Sequence, residues 1–313
     1  MRIGRKIDKR KLPLILRRYD EYMAIRFSPE TREVRLYRLL EFHQFMKQER
    51  GKTMEQLTRS DAEAYMAKLT HRREKGEIKQ STVKSDASII KMFAKWLVRE
   101  EILDSKEFYK IEEDLKELPG EKGEDNRIAL SNQEEQTIME KFVDVLLQMI
   151  VWLGLNFGLR RKEYCRLRVD HIELERDPPR LKIELSKGHI KKTRYIPLFS
   201  GQVNQLKKWL DFRASLNLPH SFLLYNPRNP AIGLTVYSLG YLFQTMTKIT
   251  GVHLYSHRLR YTYAVKLWKR GVDLWTISIA LGHEKVETTV KYLKIHEEDY
   301  YDKYLTGAKG LFH

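Results

Sequence analysis

A charged segment about one third of the way along the chain constrains the fold more than any other feature. Residues 112–126 are mostly charged and include Pro119, Gly120 and Gly123. Such a composition is typical of a linker, because proline and glycine interrupt regular structure. The chain of 313 residues is also longer than one typical core. We therefore predict two domains, residues 1–118 and 130–313, joined by a linker at 119–129.

The first domain is predicted to be a small helical bundle, since it has few glycines and few strand-like runs. Between positions 82 and 97, with Ser81 as a candidate N-cap, apolar residues recur on one helical face: Val83, Ala87, Ile90, Ala94 and Leu97. Residues 31–50 and 61–69 are further amphipathic candidates, the second with Thr58 or Ser60 as its cap. We expect four or five packed helices.

The second domain is predicted to combine helices with a small antiparallel sheet. It opens with a capping box from Ser131 to Glu134, and the apolar run at 143–155 indicates a buried helix. Strands are predicted in three segments, 171–174, 181–185 and 195–198. Further helices are expected over 200–210, 236–249, 259–268 and 276–281. The predicted fold class is mainly α, with a helical N-terminal bundle and a mixed α+β second domain.

The charge balance indicates a polyanionic partner. The chain holds 58 Lys and Arg against 42 Asp and Glu, a formal net charge of +16. Residues 1–118 hold 28 basic and 21 acidic side chains, and the rest of the chain holds 30 and 21. A basic excess on both domains suits a nucleic acid gripped from two sides. The alternative is a solvated basic protein without such a partner.

Composition also argues against a membrane or secreted protein. No apolar run approaches the roughly 20 residues of a membrane-spanning helix, and no apolar signal core follows the basic N-terminus. The single cysteine, Cys165, cannot form an internal disulfide, which fits a reducing compartment. We expect a cytoplasmic, nucleoid-associated protein.

Four motifs follow one another in the second domain, and the first two bring an arginine and a lysine. The first is Gly-Leu-Arg-x-x-Glu, which contains Arg160 and, one helical turn later, Glu163. The second is a lysine in a predicted turn, Lys187, ahead of an Arg-x-x-Pro-Leu strand that begins at Arg194.

The third and fourth motifs bring two histidines, a second arginine and a tyrosine. The third is His-x-x-Arg, from His257 to Arg260, and the fourth is Leu-Gly-His ending at His283, with Tyr292 nine positions further on. In order and spacing the four motifs resemble the active-site signature of the tyrosine recombinases. The helical first domain is similar to the SAM-like core-binding domain of that family. One position departs from the family, which often has a histidine where this chain has Tyr261.

The resemblance implies a compact recombinase of the Xer or Cre type that cuts DNA through a covalent 3′-phosphotyrosine. Tyr292 would be the nucleophile, and Tyr300, Tyr301 and Tyr304 are neighbouring phenols that could be mistaken for it. Phosphodiester cleavage is an in-line displacement that gathers negative charge on the non-bridging oxygens.

Each remaining motif residue has a chemical role in such a reaction. Arg160 and Arg260 would clamp the phosphate, because guanidinium groups donate bidentate hydrogen bonds. His257 and His283 would donate further hydrogen bonds, and one of the two would manage the phenol's proton. Lys187 would protonate the departing 5′-oxygen.

Some alternatives to these roles stay open. Lys191 and Lys192 are alternative lysines near the predicted turn, more typical of phosphate contacts or solvated charges. Glu163 would support the pocket, and the alternative for it is an ion pair in solvent.

The resemblance also implies partners. We expect no metal and no cofactor, because a phosphotyrosine bond conserves the energy of the phosphodiester. The expected partners are double-stranded DNA and further copies of the chain, four protomers on paired sites that exchange strands through a Holliday junction. The segment after Tyr292 is expected to dock on its own domain or on a neighbour's.

The biological setting stays open at this stage. The target sequence, any accessory protein, and the choice between integration or excision and dimer resolution do not follow from these residues. Two rival hypotheses are a type IB topoisomerase-like enzyme and a catalytically silent DNA-binding protein.

Overall fold

The computed structural model describes residues 7–116, 128–187, 190–295 and 301, with the side chains of residues 185–192 outside the description. The chain divides into two compact units, Met1–Asp125 and Asn126–His313. The predicted linker at 119–129 lies outside the described residues except for its last two positions. In the described ranges, none of the helices combines the length and the apolar composition that a bilayer crossing requires.

The described part of the first unit is a bundle of five α-helices. They are α1 (Leu14–Ala24), α2 (Pro29–Glu49), α3 (Arg59–Glu74), α4 (Gln80–Arg99) and α5 (Ser105–Lys116). Their apolar faces share one core. At its centre the fully buried ring of Tyr19 lies 5.1 Å from the rings of both Phe93 and Trp96. The bundle confirms the prediction of four or five packed helices.

The helix starts in this unit agree only in part with the predicted caps. Thr58 caps α3, and its backbone N–H donates to the Asp61 carboxylate at 3.0 Å. The predicted N-cap at Ser81 is wrong, since α4 begins at Gln80 and Ser81 already lies in its first turn. Ile78 and Val83 pack in the same core cluster, and such an apolar pair sets where the chain enters a helix.

The described part of the second unit packs its other helices and strands around one largely buried apolar helix. Its helices are α6 (Asn132–Lys141), α7 (Val145–Phe157), α8 (Arg161–Arg166), α9 (Ser200–Ser215), α10 (Val236–Thr250), α11 (Ser256–Lys269), α12 (Leu274–Leu281) and α13 (Val286–Leu293). Its strands are β1 (Ile172–Glu173), β2 (Arg180–Lys187), β3 (Ile190–Pro197), β4 (Tyr225–Asn226) and β5 (Asn229–Gly233). The mixed α+β prediction is confirmed, but the β4–β5 hairpin and α13 were not predicted.

The small sheet has the predicted antiparallel arrangement, in the order β1-β2-β3. Ile183 pairs with Arg194, and Lys187 pairs with Ile190 at the end of the β2–β3 hairpin. β1 is shorter than the predicted strand at 171–174, because residues 169–171 form a 3₁₀ turn. The register places Lys187 four residues along β2 from Ile183.

Hydrogen bonds and ion pairs join α11 to α6 and to the residues just before α6. The Arg258 guanidinium donates to both oxygens of Glu134, the capping-box residue of α6, at 2.8 and 2.9 Å. The Leu130 N–H donates to the Thr262 hydroxyl at 2.9 Å. Lys266 pairs with Glu135. The start of the described second unit is therefore fixed to the helix that carries the His-x-x-Arg motif.

Gly154 lets α7 and α11 approach closely. A Cβ at this position would lie 2.3 Å from the Tyr164 hydroxyl and 2.7 Å from a methyl carbon of Leu259. α7 ends at Phe157 and is capped by Gly158, which adopts the left-handed conformation (φ 56°) that glycine tolerates. The close contact at Gly154 brings this helix end within reach of Arg260, the residue after Leu259.

Gly154→Val is expected to lower the free energy of unfolding by at least about 2 kcal/mol, because the added carbons overpack the α7–α11 contact. Gly201→Val is the matched control, since a Cβ there meets nothing within 4 Å, and it should change stability by less than about 0.5 kcal/mol. Urea denaturation of both variants measures the difference. Equal effects of the two substitutions would contradict the proposed role of Gly154.

Candidate active site

Arg260 is held between the C-terminal ends of two helices. Its side chain is almost completely buried, at 1% exposure. Nη1 donates to the Gly158 carbonyl at the end of α7 at 2.7 Å, and Nη2 donates to the Leu281 carbonyl at the end of α12 at 2.5 Å. The last carbonyls of a helix lack intrahelical partners and carry partial negative charge. Two helix ends therefore satisfy and stabilise this buried cation.

Arg160 lies on the adjoining carbonyl of the same α12 terminus. Its Nη2 donates to the Gly282 carbonyl at 2.9 Å, and its Nη1 donates to Glu163 at 3.0 Å. Gly282 ends α12 in the left-handed conformation (φ 66°). Consecutive carbonyls of one turn thus hold both motif arginines, and His283 is the next residue in the chain.

Glu163 is the buried counter-charge of this site. The side chain is 4% exposed, and its Oε2 accepts the backbone N–H of Arg160 at 2.8 Å. Arg194 of β3 donates two hydrogen bonds to it, both at 2.9 Å, and is itself buried. The alternative of an ion pair in solvent is therefore wrong for Glu163. Arg160, Arg194 and Arg260 together are called the guanidinium cluster below.

The charge states of Glu163 and Arg260 follow from this packing. Burial alone raises the pKa of the Glu163 carboxyl, but hydrogen bonds and charges from the guanidinium cluster outweigh it and bring the pKa to about 2. Burial, and then the charge of Arg160, lower the pKa of Arg260 to about 9. Both groups are therefore ionised at neutral pH, and one carboxylate faces three cations.

His283 is held as a neutral imidazole. Its Nε2 lies 3.1 Å from Nη2 of Arg260, and its Nδ1 lies 2.9 Å from the Thr289 hydroxyl. Burial, and then the charges of the guanidinium cluster, lower the pKa of His283 to about 4. At neutral pH the ring therefore carries one proton.

Tyr292, on α13, lies beside His283. Its ring packs edge-on against the rings of His283 and Tyr261, with centroids 5.4 and 5.6 Å apart. The hydroxyl donates a long hydrogen bond of 3.4 Å to the backbone carbonyl of His257. The His257 side chain is exposed, near the start of α11. Arg160, Glu163, Arg260, His283 and Tyr292 thus come together in one unit, with His257 beside them.

The remaining candidates are the hairpin lysines and the phenols that follow Tyr292. The backbone of Lys187 ends β2 at the hairpin, but its side chain and those of Lys191 and Lys192 lie outside the described residues. Of the alternative phenols, Tyr301 is exposed, and Tyr300 and Tyr304 lie outside the described residues.

Sequence reasoning missed the roles of Arg194 and Thr289. A signal for Arg194 was available, because strand alternation places it on the same face as Ile196, an apolar and buried position. A charged residue on a buried face needs a partner. No comparable signal marked Thr289, which is fully buried on α13.

Arg194→Met is expected to lower the free energy of unfolding by about 3–5 kcal/mol, because it leaves the buried Glu163 carboxylate short of its bidentate partner. Arg168→Met is the matched control. Arg168 pairs with Asp170 at 46% and 71% side-chain exposure, and such surface pairs contribute at most about 1 kcal/mol. Chemical denaturation compares the two variants. A loss in Arg194→Met no larger than in the control would contradict the assignment of Glu163 and Arg194 as a buried pair.

Both units match domains of one known protein family. Residues 129–299 match the phage integrase family, and residues 16–101 match its N-terminal SAM-like domain. Tyrosine recombinase XerC of Bacillus subtilis (strain 168) is 23% identical over 309 residues, covering 95% of this chain and 94% of that protein. Tyrosine recombinase XerC of Bacillus pumilus (strain SAFR-032) is 27% identical over 307 residues, covering 93% and 92%.

Solved structures share the fold. XerH site-specific recombinase bound to difH substrate, in a pre-cleavage complex, aligns with a TM-score of 0.68 at 18% identity, covering 99% of this chain and 98% of that one. The Tn1549 transposon integrase in complex with transposon right end DNA aligns with a TM-score of 0.69 at 16% identity, covering 96% and 99%. The family match alone spans more than half of the sequence, and the chain therefore belongs to the phage integrase family of tyrosine recombinases.

Proposed function

We propose that this protein is a site-specific DNA recombinase that cleaves and rejoins DNA through a 3′-phosphotyrosine at Tyr292. The observation that carries the proposal is one helix terminus, where Leu281 and Gly282 bind the two motif arginines and His283 packs against the Tyr292 ring. A tyrosine next to two guanidinium groups suits attack on a phosphodiester.

In this proposal Arg160 and Arg260 stabilise the phosphate in the transition state. Their charges are preorganised on fixed carbonyls, so little reorganisation is needed when negative charge develops on the non-bridging oxygens. Glu163 neutralises part of the cluster's charge and leaves a net positive site. That imbalance matches an incoming phosphate anion.

The two histidines have different roles. His283 is neutral in the free protein and its ring contacts the nucleophile's ring, so we assign it to the phenol's proton. The exposed side chain of His257 is assigned as a hydrogen-bond donor to the phosphate.

Lys187 is proposed as the general acid for the departing 5′-oxygen, at the end of the β2–β3 hairpin. Lys187→Ala should slow cleavage of ordinary DNA by about 10²–10⁴-fold. A substrate with a 5′-bridging phosphorothiolate should restore the rate, because sulfur leaves without a proton. Arg160→Ala should gain nothing from that substrate, and Lys191→Ala should need no rescue. Equal rescue of Arg160→Ala would contradict this division of roles.

Duplex DNA is the proposed substrate, and four protomers on paired sites are the proposed assembly, with strand exchange through a Holliday junction. The XerH and Tn1549 integrase structures are protein–DNA complexes, which supports a DNA partner. Lys285 and Lys291 line a surface depression of about 510 Å³ beside Tyr292, where they would meet a DNA backbone.

Docking of the C-terminal tail stays a prediction. Residues 296–300 and 302–313, which hold most of that tail, lie outside the described residues. We propose that the tail docks on a neighbouring protomer in the assembled complex.

Tyr292→Phe removes only the nucleophilic oxygen, so it should bind a half-site with wild-type affinity and form no covalent adduct on a nicked suicide substrate. Tyr301→Phe is the control, since that side chain is exposed, and it should form adducts normally. Adducts are detected by denaturing gel and mapped by mass spectrometry. Adducts that persist in Tyr292→Phe would overturn the assignment of the nucleophile.

A further inference from the structure

Thr289 connects the helix that carries the nucleophile to the histidine beside it. Its side chain is fully buried, and its hydroxyl lies 2.9 Å from Nδ1 of His283. Thr289 and Tyr292 are three residues apart on α13, so they lie on the same side of the helix, one turn apart. The helix therefore presents the phenol and a partner for His283 together.

The hydrogen-bond partners of His283 determine which ring nitrogen carries the proton. Nη2 of Arg260 can only donate, so Nε2 of His283 at 3.1 Å must accept. In a neutral ring the proton then resides on Nδ1, and the Thr289 hydroxyl accepts it. The Arg260 contact determines the tautomer, and the Thr289 hydroxyl, which can donate or accept, acts as the acceptor for it.

The other charged groups around His283 on balance favour the neutral ring, because the three guanidinium groups lower the pKa of His283 more than Glu163 raises it. Arg260 reaches it from α11, Arg160 and Glu163 from the α8 region, Arg194 from β3, and Tyr292 from α13. Three of these groups are cations and one is a carboxylate that is itself paired with Arg194. Thr289 contributes no charge, and its hydroxyl accepts the hydrogen bond from Nδ1–H.

We propose that Thr289 is a positioning residue that holds His283 in its Nδ1-protonated tautomer. Because Thr289 lies on α13 with Tyr292, the state of His283 is coupled to the position of the nucleophile. The inference rests on the proposed function, in which His283 manages the phenol's proton. When α13 is in place, the lone pair stays on Nε2 and the ring keeps its orientation against the phenol. Nε2 accepts from Arg260 in the free protein, and it can take the phenol's proton once that hydrogen bond is released. When α13 is withdrawn, the Nδ1 proton loses its acceptor.

The contact area that holds α13 on the rest of the unit is small. A link between the position of this helix and the state of His283 is therefore useful. Leu293 of this helix packs into a cluster of buried residues of α11 and α12 that includes Ala264, Ile277 and Leu281. α13 has only eight residues, so few contacts hold it. Because Thr289 and Tyr292 lie on the same helix, the hydroxyl that accepts from Nδ1–H is in place only when the nucleophile is in place as well.

Two substitutions separate a positioning role from a packing role. Thr289→Val keeps the shape of the side chain and removes the hydroxyl, whereas Thr289→Ser keeps the hydroxyl and removes a methyl group. A packing role predicts that Ser is the more damaging variant. The proposed role predicts the reverse order in cleavage.

The first measurement is ¹⁵N NMR of the full chain with labelled histidine at pH 7, with His283 identified through His283→Gln. The wild type and Thr289→Ser should show a neutral ring with a protected Nδ1–H signal. In Thr289→Val that signal should be lost to exchange. A wild-type ring protonated on Nε2 overturns the proposal by itself, even if the Val variant does not fold.

The second measurement is single-turnover cleavage of a suicide substrate. Thr289→Val should be slower by roughly tenfold to a hundredfold, the range seen when the group that orients a metal-binding histidine is removed, while Thr289→Ser stays within about threefold. Half-site affinity should be unchanged in both variants. Unchanged cleavage in Thr289→Val, or a larger loss in Thr289→Ser, would overturn the proposal.

The failure of the proposed function is recognised separately. If Tyr292→Phe still forms adducts, the nucleophile assignment fails, whereas the tautomer of His283 is read without DNA and stands or falls on its own spectrum.

Discussion

The geometry of the candidate active site depends on the way in which α12 ends. Gly282 takes a left-handed conformation and stops the helix, which leaves the carbonyls of Leu281 and Gly282 without intrahelical donors. These two oxygens hold Arg260 and Arg160 side by side. Without them, the burial of Arg260 at 1% exposure would leave a cation without enough acceptors, which is strongly destabilising.

The guanidinium cluster carries more positive charge than its one buried carboxylate can neutralise. Glu163 is ionised and bound by Arg194 on two oxygens, but it cannot neutralise three guanidinium groups. Like charges held together cost free energy in the folded state, and in the proposed reaction an arriving phosphate would relieve that cost. Preorganised charge of this kind favours the transition state of phosphoryl transfer, because the protein dipoles are already oriented.

Each element near the site makes more than one contact that matters for its geometry. α11 contributes Arg260 to the guanidinium cluster and, through Arg258, binds the Glu134 cap of α6. β3 contributes Arg194 to the cluster and pairs with β2, which ends at Lys187. α13 presents Tyr292 and also the hydroxyl of Thr289. Movements of these elements therefore change the geometry of several functional groups together.

The sequence alone predicted the two-domain organisation and the fold class, because helical periodicity, strand alternation and linker composition are properties of the local chain. The motif residues came from the resemblance to the tyrosine recombinases. The spacing also placed Glu163 on the same helical face as Arg160, since one helical turn separates them. Only the tertiary structure decided that Glu163 binds Arg194, that Arg260 lies on two helix ends and that Thr289 meets His283. Arg194 lies 31 residues beyond Glu163, and Arg260 lies 102 beyond Gly158. Such contacts depend on how distant segments pack, and no local pattern in the chain encodes that.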